Sequence, residues 1–431
     1  MARSTQRHAF GWLAFANVVG FGLSLLLLWP ELNGWLAPLT YGRWMPVHLN
    51  GHLYGWCSVP LLGLLFVACL DWRHPQAPHH ARLALAAWSL AVAGGVVSWL
   101  AGETSGKLFM DWSGWARPLL PLAMVTLWTV LAGHVWWRLR RPEVIDGARS
   151  PLTLLALALL ALLPLPGIFF WAADPSVYPP VNPGSGGATG ASLLGSTLGI
   201  VTLFGALPYL LAIPRRPPPS SSPASSSSRT LPTRSELCFG LALVGSWILY
   251  AGIDHGHASH TSRDQILGLG SLLLWIPLAG WHLAAFAWPA ASRRWLVSAY
   301  ACWAFLVVTG WVTFLPGWSE AIKFTHGLVA HAHLAMAGLV TAVNHALLVG
   351  LEPRSSHQGR SSAATWAFLT WHVGLAVHLL SLFGLGVMEE ANPTSLFLTD
   401  GMSQGLLALR ALSGGAMLVA SFSWLKRAWT S

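Results

Sequence analysis

Charged side chains are scarce in this sequence, since only 9% of its 431 residues are Asp, Glu, Lys or Arg. Soluble proteins carry about 25% charged residues, so a water-exposed surface around a fold of this size is excluded. Acidic residues are the rarer kind, with 15 against 24 basic residues. Hydrophobic residues reach 54%, and this balance predicts that lipid surrounds most of the chain.

Cysteine is also rare, and its few positions exclude several kinds of site. Cys57, Cys69, Cys238 and Cys302 all lie in apolar stretches and form no pair with the spacing of metal ligands. We interpret them as buried, inert thiols. The C-x-x-C-H motif of a covalently attached c-type heme is absent from the sequence, so any electrons would have to come from another chain.

Long apolar runs fill most of the sequence. A membrane-spanning helix needs about 20 apolar residues, and about twelve such stretches follow one another along the chain. They predict an all-α polytopic membrane helix bundle of about 12 transmembrane helices. Residues 214–234 are rich in Pro and Ser and predict a flexible cytoplasmic loop. We expect residues 1–431 to form a single transmembrane domain, because no internal repeat divides them.

The net charge of +9 follows the predicted topology. If the spans alternate from a cytoplasmic N-terminus, most basic residues fall in the inner connections. The outer connections then hold only Arg43, Lys107, Arg117, Arg263 and Lys323. This asymmetry predicts cytoplasmic N- and C-termini in an inner membrane. It also explains the positive charge without a nucleic-acid partner.

The 18 histidines divide by position. His74 and its neighbours His79 and His80 fall in a polar inner connection, where we interpret them as solvated. In contrast, His48 lies at the outer end of the second predicted span, and His331 and His333 lie at the outer end of the tenth. An ionisable side chain inside a bilayer is costly and indicates function, and histidine is a common ligand of heme iron.

The spacing of His331 and His333 limits what they can bind. Residues two apart on a helix point about 200° apart, so the two imidazoles cannot easily chelate one ion. Each can instead hold an iron on its own flank of the helix. His333 would then pair with a histidine of another span, while His331 would hold a second heme with an open face. The alternative is that these histidines only hydrogen-bond to neighbouring helices.

Four segments in order along the chain resemble motifs of one family. They are Arg43-x-x-Pro-Val-His48, Gly102–Asp111, Phe324–Leu339 and Arg410–Gly415. The chain resembles the catalytic subunit I of the heme–copper oxidase superfamily, above all the cbb-type cytochrome c oxidases and the related nitric oxide reductases. The number of predicted spans agrees with that family.

The resemblance implies cofactors and partners. His48 and His333 would be the axial ligands of a low-spin heme b, and His331 the proximal ligand of a high-spin heme that binds O2 or NO. Electrons would come from a cytochrome c-type partner in a bacterial inner membrane. The resemblance assigns no role to His52. We favour packing or a hydrogen bond to a heme propionate for it, with a ligand role in place of His48 as the lesser option.

The sequence departs from the family at the second metal, which faces the open side of the high-spin heme. Ser196 stands where the family has a histidine, and an ungapped placement puts Asp254 and His255 on the family's histidine pair. Three interpretations remain open. Asp254, His255 and His257 build an altered site for one non-heme iron or copper, or the second metal is lost, or residues 254–260 are a polar outer loop.

Together these features predict a respiratory membrane oxidoreductase that reduces a diatomic gas, O2 or NO. His331, Asp254 and His255 are its predicted catalytic residues. The alternative is a non-catalytic diheme membrane protein that transfers electrons or senses gas. The family's cross-linked tyrosine would fall at Ile248, with Tyr250 nearby but out of register.

Overall fold

A computed structural model describes residues 1–107, 110–141, 146–177, 190–216, 233–253, 263–323, 325–352, 361–392 and 400–430. These residues form helices joined by short connections, and no β-strand occurs among them. The helices are α1 (Ala2–Leu28), α2 (Tyr41–Cys69), α3 (Ala77–Ala101), α4 (Gly114–Leu139), α5 (Leu152–Ala172), α6 (Gly190–Leu210), α7 (Arg234–Gly252), α8 (Ile266–Ala284), α9 (Ala290–Val312), α10 (His326–Gly350), α11 (Ser361–Ala391) and α12 (Gly401–Thr430).

Eleven of these helices are long and apolar enough to cross a membrane, as judged over the described residues. The helix α6 differs, because its apolar stretch Leu194–Leu210 is shorter. The all-helical, multi-pass membrane architecture expected from the sequence is therefore confirmed. Twelve spans remain a prediction, which depends on whether α6 also crosses.

The outward faces of the helices are apolar. Large aliphatic side chains are exposed on many of them, including Leu90 at 71%, Leu380 at 70% and Leu412 at 71%. A soluble monomer rarely exposes contiguous apolar surface on this scale. Such a surface is stable against lipid tails, so the exposure pattern supports the membrane assignment independently of helix length.

The chain divides into two compact units. The first comprises Met1–Tyr178, Leu347–Ser381 and Thr399–Ser431, and the second comprises Pro179–Ala346 and Leu382–Leu398. Each is held by its own helix packing, with α1, α2 and α12 in contact in the first unit and α9 against α10 in the second. A single folding domain over residues 1–431 stays a prediction.

The predicted loop at 214–234 begins and ends in fixed structure. Arg215 forms an ion pair of 2.8 Å with Glu236 in the first turn of α7. Thr233 caps that helix through a capping box, in which its side chain accepts from the Glu236 backbone N–H. Residues 217–232, which hold most of the Pro/Ser-rich segment, lie outside the described residues.

Tryptophan side chains at span ends divide into two groups. Trp35, Trp115 and Trp318 are exposed, as expected for an aromatic belt at a membrane interface. Trp112 instead is fully buried and packs edge-on against Trp99, with ring centroids 5.1 Å apart. Trp112 therefore belongs to the packed core and not to an interface.

The connection between α3 and α4 is fixed by buried polar groups. Lys107 is only 8% exposed and donates to the carbonyl oxygen of Ala172 at 2.8 Å and to that of Asp174. Burial lowers the pKa of Lys107. Hydrogen bonds from Ser176, together with the Arg117 guanidinium at 2.8 Å, lower the pKa of Asp174 to about 2. Hydrogen bonds and an ion pair therefore fix the conformation of this part of the Gly102–Asp111 motif.

A close approach between α10 and α11 provides the first test of the fold. A Cβ atom added to Gly386 would lie 2.6 Å from the backbone nitrogen of Gly327. Because backbone cannot move aside like a side chain, we expect Gly386→Ala to lower stability by about 1–3 kcal/mol. Thermal unfolding in detergent, followed by circular dichroism, measures this change.

The matched control is Gly405→Ala in α12, where an added Cβ would meet no atom within 4 Å. Alanine is intrinsically favoured over glycine in a helix, so this control should unfold at the same temperature or higher. An equal loss of stability in both variants would contradict the packing of α10 on α11.

Candidate functional site

His48 lies across a groove of α1. Its Nδ1 donates to the carbonyl oxygen of Ala16 at 2.9 Å. A Cβ added to Gly20 would lie 2.4 Å from Cε1 of His48, so the ring rests directly on the glycine backbone. Since a carbonyl oxygen only accepts, the proton of the neutral ring is on Nδ1 and the lone pair is on Nε2. This is the form that binds a metal through Nε2.

The helix α2 changes from α-helical to π-helical hydrogen bonding three residues after His48. Gly51–Cys57 is a π-helical segment, in which the hydrogen bonds span one residue more than in an α-helix. His52 lies in this segment, with its ring centroid 4.8 Å from that of His48 and the two rings perpendicular. The contact places His52 beside the predicted ligand, where packing and a propionate hydrogen bond remain its two favoured roles.

His331 contacts α9. Its Nδ1 lies 3.1 Å from Oγ1 of Thr309, and a Cβ on Gly310 would lie 3.2 Å from its Cε1. The Thr309 hydroxyl donates its proton to the carbonyl oxygen of Phe305 at 2.9 Å. Its oxygen therefore accepts from Nδ1 of His331, and this ring also carries its lone pair on Nε2.

His333 repeats the arrangement within its own helix. Its Nδ1 donates to the carbonyl oxygen of Val329 at 2.8 Å. The π-helical segment Leu334–Val340 begins at the next residue. His372 in α11 makes the same kind of bond, to Phe368 at 2.8 Å, so the bond fixes which nitrogen has the lone pair but does not by itself identify a ligand.

The N-terminus of α10 is held firmly, and this fixes the two histidines that follow. Thr325 is the N-cap residue, and its side chain accepts from the backbone N–H of Gly327 at 3.1 Å. The Glu389 carboxylate accepts from the backbone N–H of His326 at 2.6 Å and from its ring Nδ1 at 2.5 Å. A carboxylate at a helix N-terminus is favourable because the helix dipole is positive there.

Each unit also holds a buried cation that comes a few residues before a predicted ligand in sequence. Nη1 of Arg43 and Nζ of Lys323 are buried and have no hydrogen-bond partner among the described residues. Arg43, which precedes His48 by five residues in sequence, packs against Gly102. Burial lowers the pKa of Lys323 to about 8. Nζ of Lys323 lies 5.4 Å from the ring centroid of Phe314, but an aromatic ring does not accept the hydrogen bonds of an ammonium group as an oxygen does. A buried cation with unmade hydrogen bonds is costly, so both positions suit an anionic group of a ligand.

The structure does not describe the three residues predicted to bind the second metal. Asp254, His255 and His257 lie outside the described residues, so their three interpretations stay open. In the described part of α6 and α7, the ring of Tyr250 packs against Gly195, next to Ser196. Ile248 is 67% exposed, so the sequence position of the family's cross-linked tyrosine faces outward.

The structure also forms a histidine cluster that the sequence did not predict. His74 and His80 come together with His134 of α4, and one ligand nitrogen from each lies within 4.8 Å of the others. His74 and His80, which we interpret from the sequence as solvated, are half-buried and so only partly open to solvent. His79 is exposed as expected. His134 is 54 residues from His80, so no local spacing could have linked them.

Comparisons with protein-family models and with curated proteins found no match to this chain. The assignment of its site therefore depends on the residues and their geometry.

The contact of His48 with α1 gives the second test. We expect Gly20→Ala to displace the His48 ring and to break its bond to Ala16, because the added Cβ would overlap Cε1. The thermal midpoint should fall, and any absorption from a six-coordinate heme should weaken with it.

Gly11→Ala is the control within the same helix, since a Cβ there meets no atom within 4 Å. It should leave both the midpoint and the absorption spectrum unchanged. A Gly20→Ala protein that behaves like this control would refute the described position of His48.

Proposed function

We propose that this chain is the heme-binding subunit of a respiratory membrane oxidoreductase, which reduces O2 or NO with electrons from a cytochrome c-type donor. In this proposal His48 and His333 are the axial ligands of a low-spin heme b, and His331 is the proximal ligand of a high-spin heme. The membrane is a bacterial inner membrane with both termini on the cytoplasmic side.

The observation that carries the proposal is the position of the two π-helical segments. They are the only ones among the described residues, and they begin three residues after His48 and one residue after His333. A π-helical turn is rare and is found frequently at functional sites. Each of the two helices predicted from sequence to hold a heme ligand thus departs from α-helical geometry next to that ligand.

The tautomers of the three histidines fit ligation. A metal-bound histidine usually donates its other ring N–H to a carbonyl or another oxygen, which orients the ring and raises its basicity. His48 and His333 donate to backbone carbonyl oxygens, and His331 donates to a threonine hydroxyl. All three rings therefore direct the basic Nε2 away from the anchoring bond.

The buried cations fit the acidic edge of a heme. Arg43 in the first unit and Lys323 in the second have buried nitrogens that lack a partner among the described residues. The propionate groups of a heme are carboxylates, which form charge-assisted hydrogen bonds with such cations. Arg43 and Lys323 would hold these groups and thereby set the orientation of the bound cofactor.

Heme iron with one open face supplies the binding and reduction of a diatomic gas, while six-coordinate heme supplies electron transfer. The residues of the chain would hold these groups in place. Thr309 and Gly310 contact the His331 ring and fix its orientation. Glu389 fixes the start of α10, so it acts as a positioning residue for both histidines.

The substitution His331→Ala tests the ligand assignment. We expect the purified protein to lose the high-spin, CO-reactive absorption and to keep the six-coordinate heme, so the heme content should fall from about two per chain to about one. Pyridine hemochrome analysis and CO difference spectra measure these changes.

His372→Ala is the control, because His372 is also a half-buried histidine within a span, with its Nδ1 bonded to the carbonyl oxygen of Phe368, and the proposal gives it no ligand role. It should leave both hemes intact. If His331→Ala keeps both hemes, or if His372→Ala loses one equally, the assignment of His331 is wrong.

The second candidate is a non-catalytic diheme protein that transfers electrons or senses gas. The observation in its favour is Ser196, which stands on α6 where the resembled family has a metal-binding histidine. Metal analysis and turnover separate the two candidates. An enzyme should contain about one non-heme iron or copper besides its hemes and should consume O2 or NO. Two hemes with no further metal and no turnover would leave the non-catalytic function.

A further inference from the structure

The histidine cluster, which consists of His74, His80 and His134, lies in the first unit. It is at the same end of that unit as Met1. Met1 and Ser4 line a cleft together with Pro78 and Arg82 at the start of α3, and His80 is in the same turns of that helix. His48 lies near the start of α2, whereas this cluster follows the end of that helix. The cluster is therefore separate from the predicted heme ligands.

Three structural elements supply the three rings. His134 is on α4 and is 4% exposed, His80 is on α3, and His74 is in the connection between α2 and α3. That connection is held by backbone bonds from His74 to Asp71 at 2.9 Å and from Ala77 to His74 at 3.0 Å. Trp137 packs edge-on against His74, with ring centroids 5.1 Å apart. The rings are thus held by the fold and not by an exposed flexible run.

The distances suit one divalent ion. Nδ1 of His80 lies 3.1 Å from Nε2 of His134, and the three ligand nitrogens all lie within 4.8 Å of one another. Two nitrogens that bind one tetrahedral zinc at 2.0–2.1 Å lie about 3.3 Å apart. The pair His80–His134 already has this separation, and His74 needs only a small ring movement to complete the set.

The proton that now links His80 and His134 would have to move. When an ion takes its place, the neutral His134 ring carries its proton on Nδ1, where it now accepts from the backbone N–H of Asp71 at 3.4 Å. That bond is long and therefore weak. The carboxylate of Asp71 is held by Arg141 at 3.2 Å, so we assign only the three histidines as protein ligands.

We propose that His74, His80 and His134 form a binding site for a divalent transition-metal ion, such as Zn²⁺. Neutral imidazoles are good ligands for ions of this class. The bound ion would join the α2–α3 connection to α3 and α4 and would stabilise this end of the bundle. The site is independent of heme binding, so it stands or falls separately from the proposed function.

Zinc binding by the full-length protein tests the site. The protein is purified without a histidine tag, treated with a chelator and dialysed against buffered Zn²⁺. His255, His257 and His260 are all replaced by alanine in every sample, because this histidine run could bind stray zinc. We expect about one zinc per chain, and His80→Ala or His74→Ala should reduce it to background.

His79→Ala is the control, since His79 is exposed and adjacent in sequence to His80 but outside the cluster. It should keep its zinc. Added Zn²⁺ should also raise the thermal midpoint of the control but not that of His80→Ala, which separates lost binding from misfolding. The site would be overturned if the protein with only the three background substitutions bound no zinc, or if His79→Ala lost zinc equally. The cluster would then be a packed group of histidines with one hydrogen bond, His80 to His134, and any remaining zinc an adventitious ion only.

Discussion

An imidazole among apolar helices must have its N–H bonded, and much of this structure follows from that constraint. An unpaired polar group in an apolar environment costs several kcal/mol. His48 satisfies its N–H on the backbone of α1, His333 on its own helix, and His331 on a threonine whose own proton is already used. His378 meets the same demand between α11 and α12, through Arg410 and Ser413. Each such bond also fixes which ring nitrogen carries the lone pair.

Glycine makes several of these contacts possible. The His48 ring can lie on α1 only because Gly20 has no side chain, and α11 can approach the start of α10 only because Gly386 has none. In a membrane the hydrophobic effect does not drive helices together, so close backbone approach through small residues gains importance. The histidines are thus fixed by the same close packing that holds the helices, and the chemistry of the site depends on the fold around it.

The helical fold could be predicted from composition and apolar run length, because the lipid environment allows few alternatives to a helix bundle. The sequence also marked His48, His331 and His333, since ionisable residues inside apolar runs are rare. Run length does not decide whether α6 crosses the membrane, because its described apolar stretch, Leu194–Leu210, is short. The sequence could not show the π-helical segments, because these depend on how a whole helix packs and not on one motif.

The sequence by itself determined that this chain is a multi-pass helical membrane protein and which histidines are candidates for iron. Local patterns suffice for this, since each span is a continuous run and each candidate lies within one. Only the tertiary structure decided which nitrogen of each ring carries the lone pair, which buried cations lack a hydrogen-bond partner among the described residues, and that His134 joins His74 and His80. Apart from the bond of His333 to Val329 in its own helix, those facts depend on contacts between residues far apart in sequence, which local spacing does not reveal.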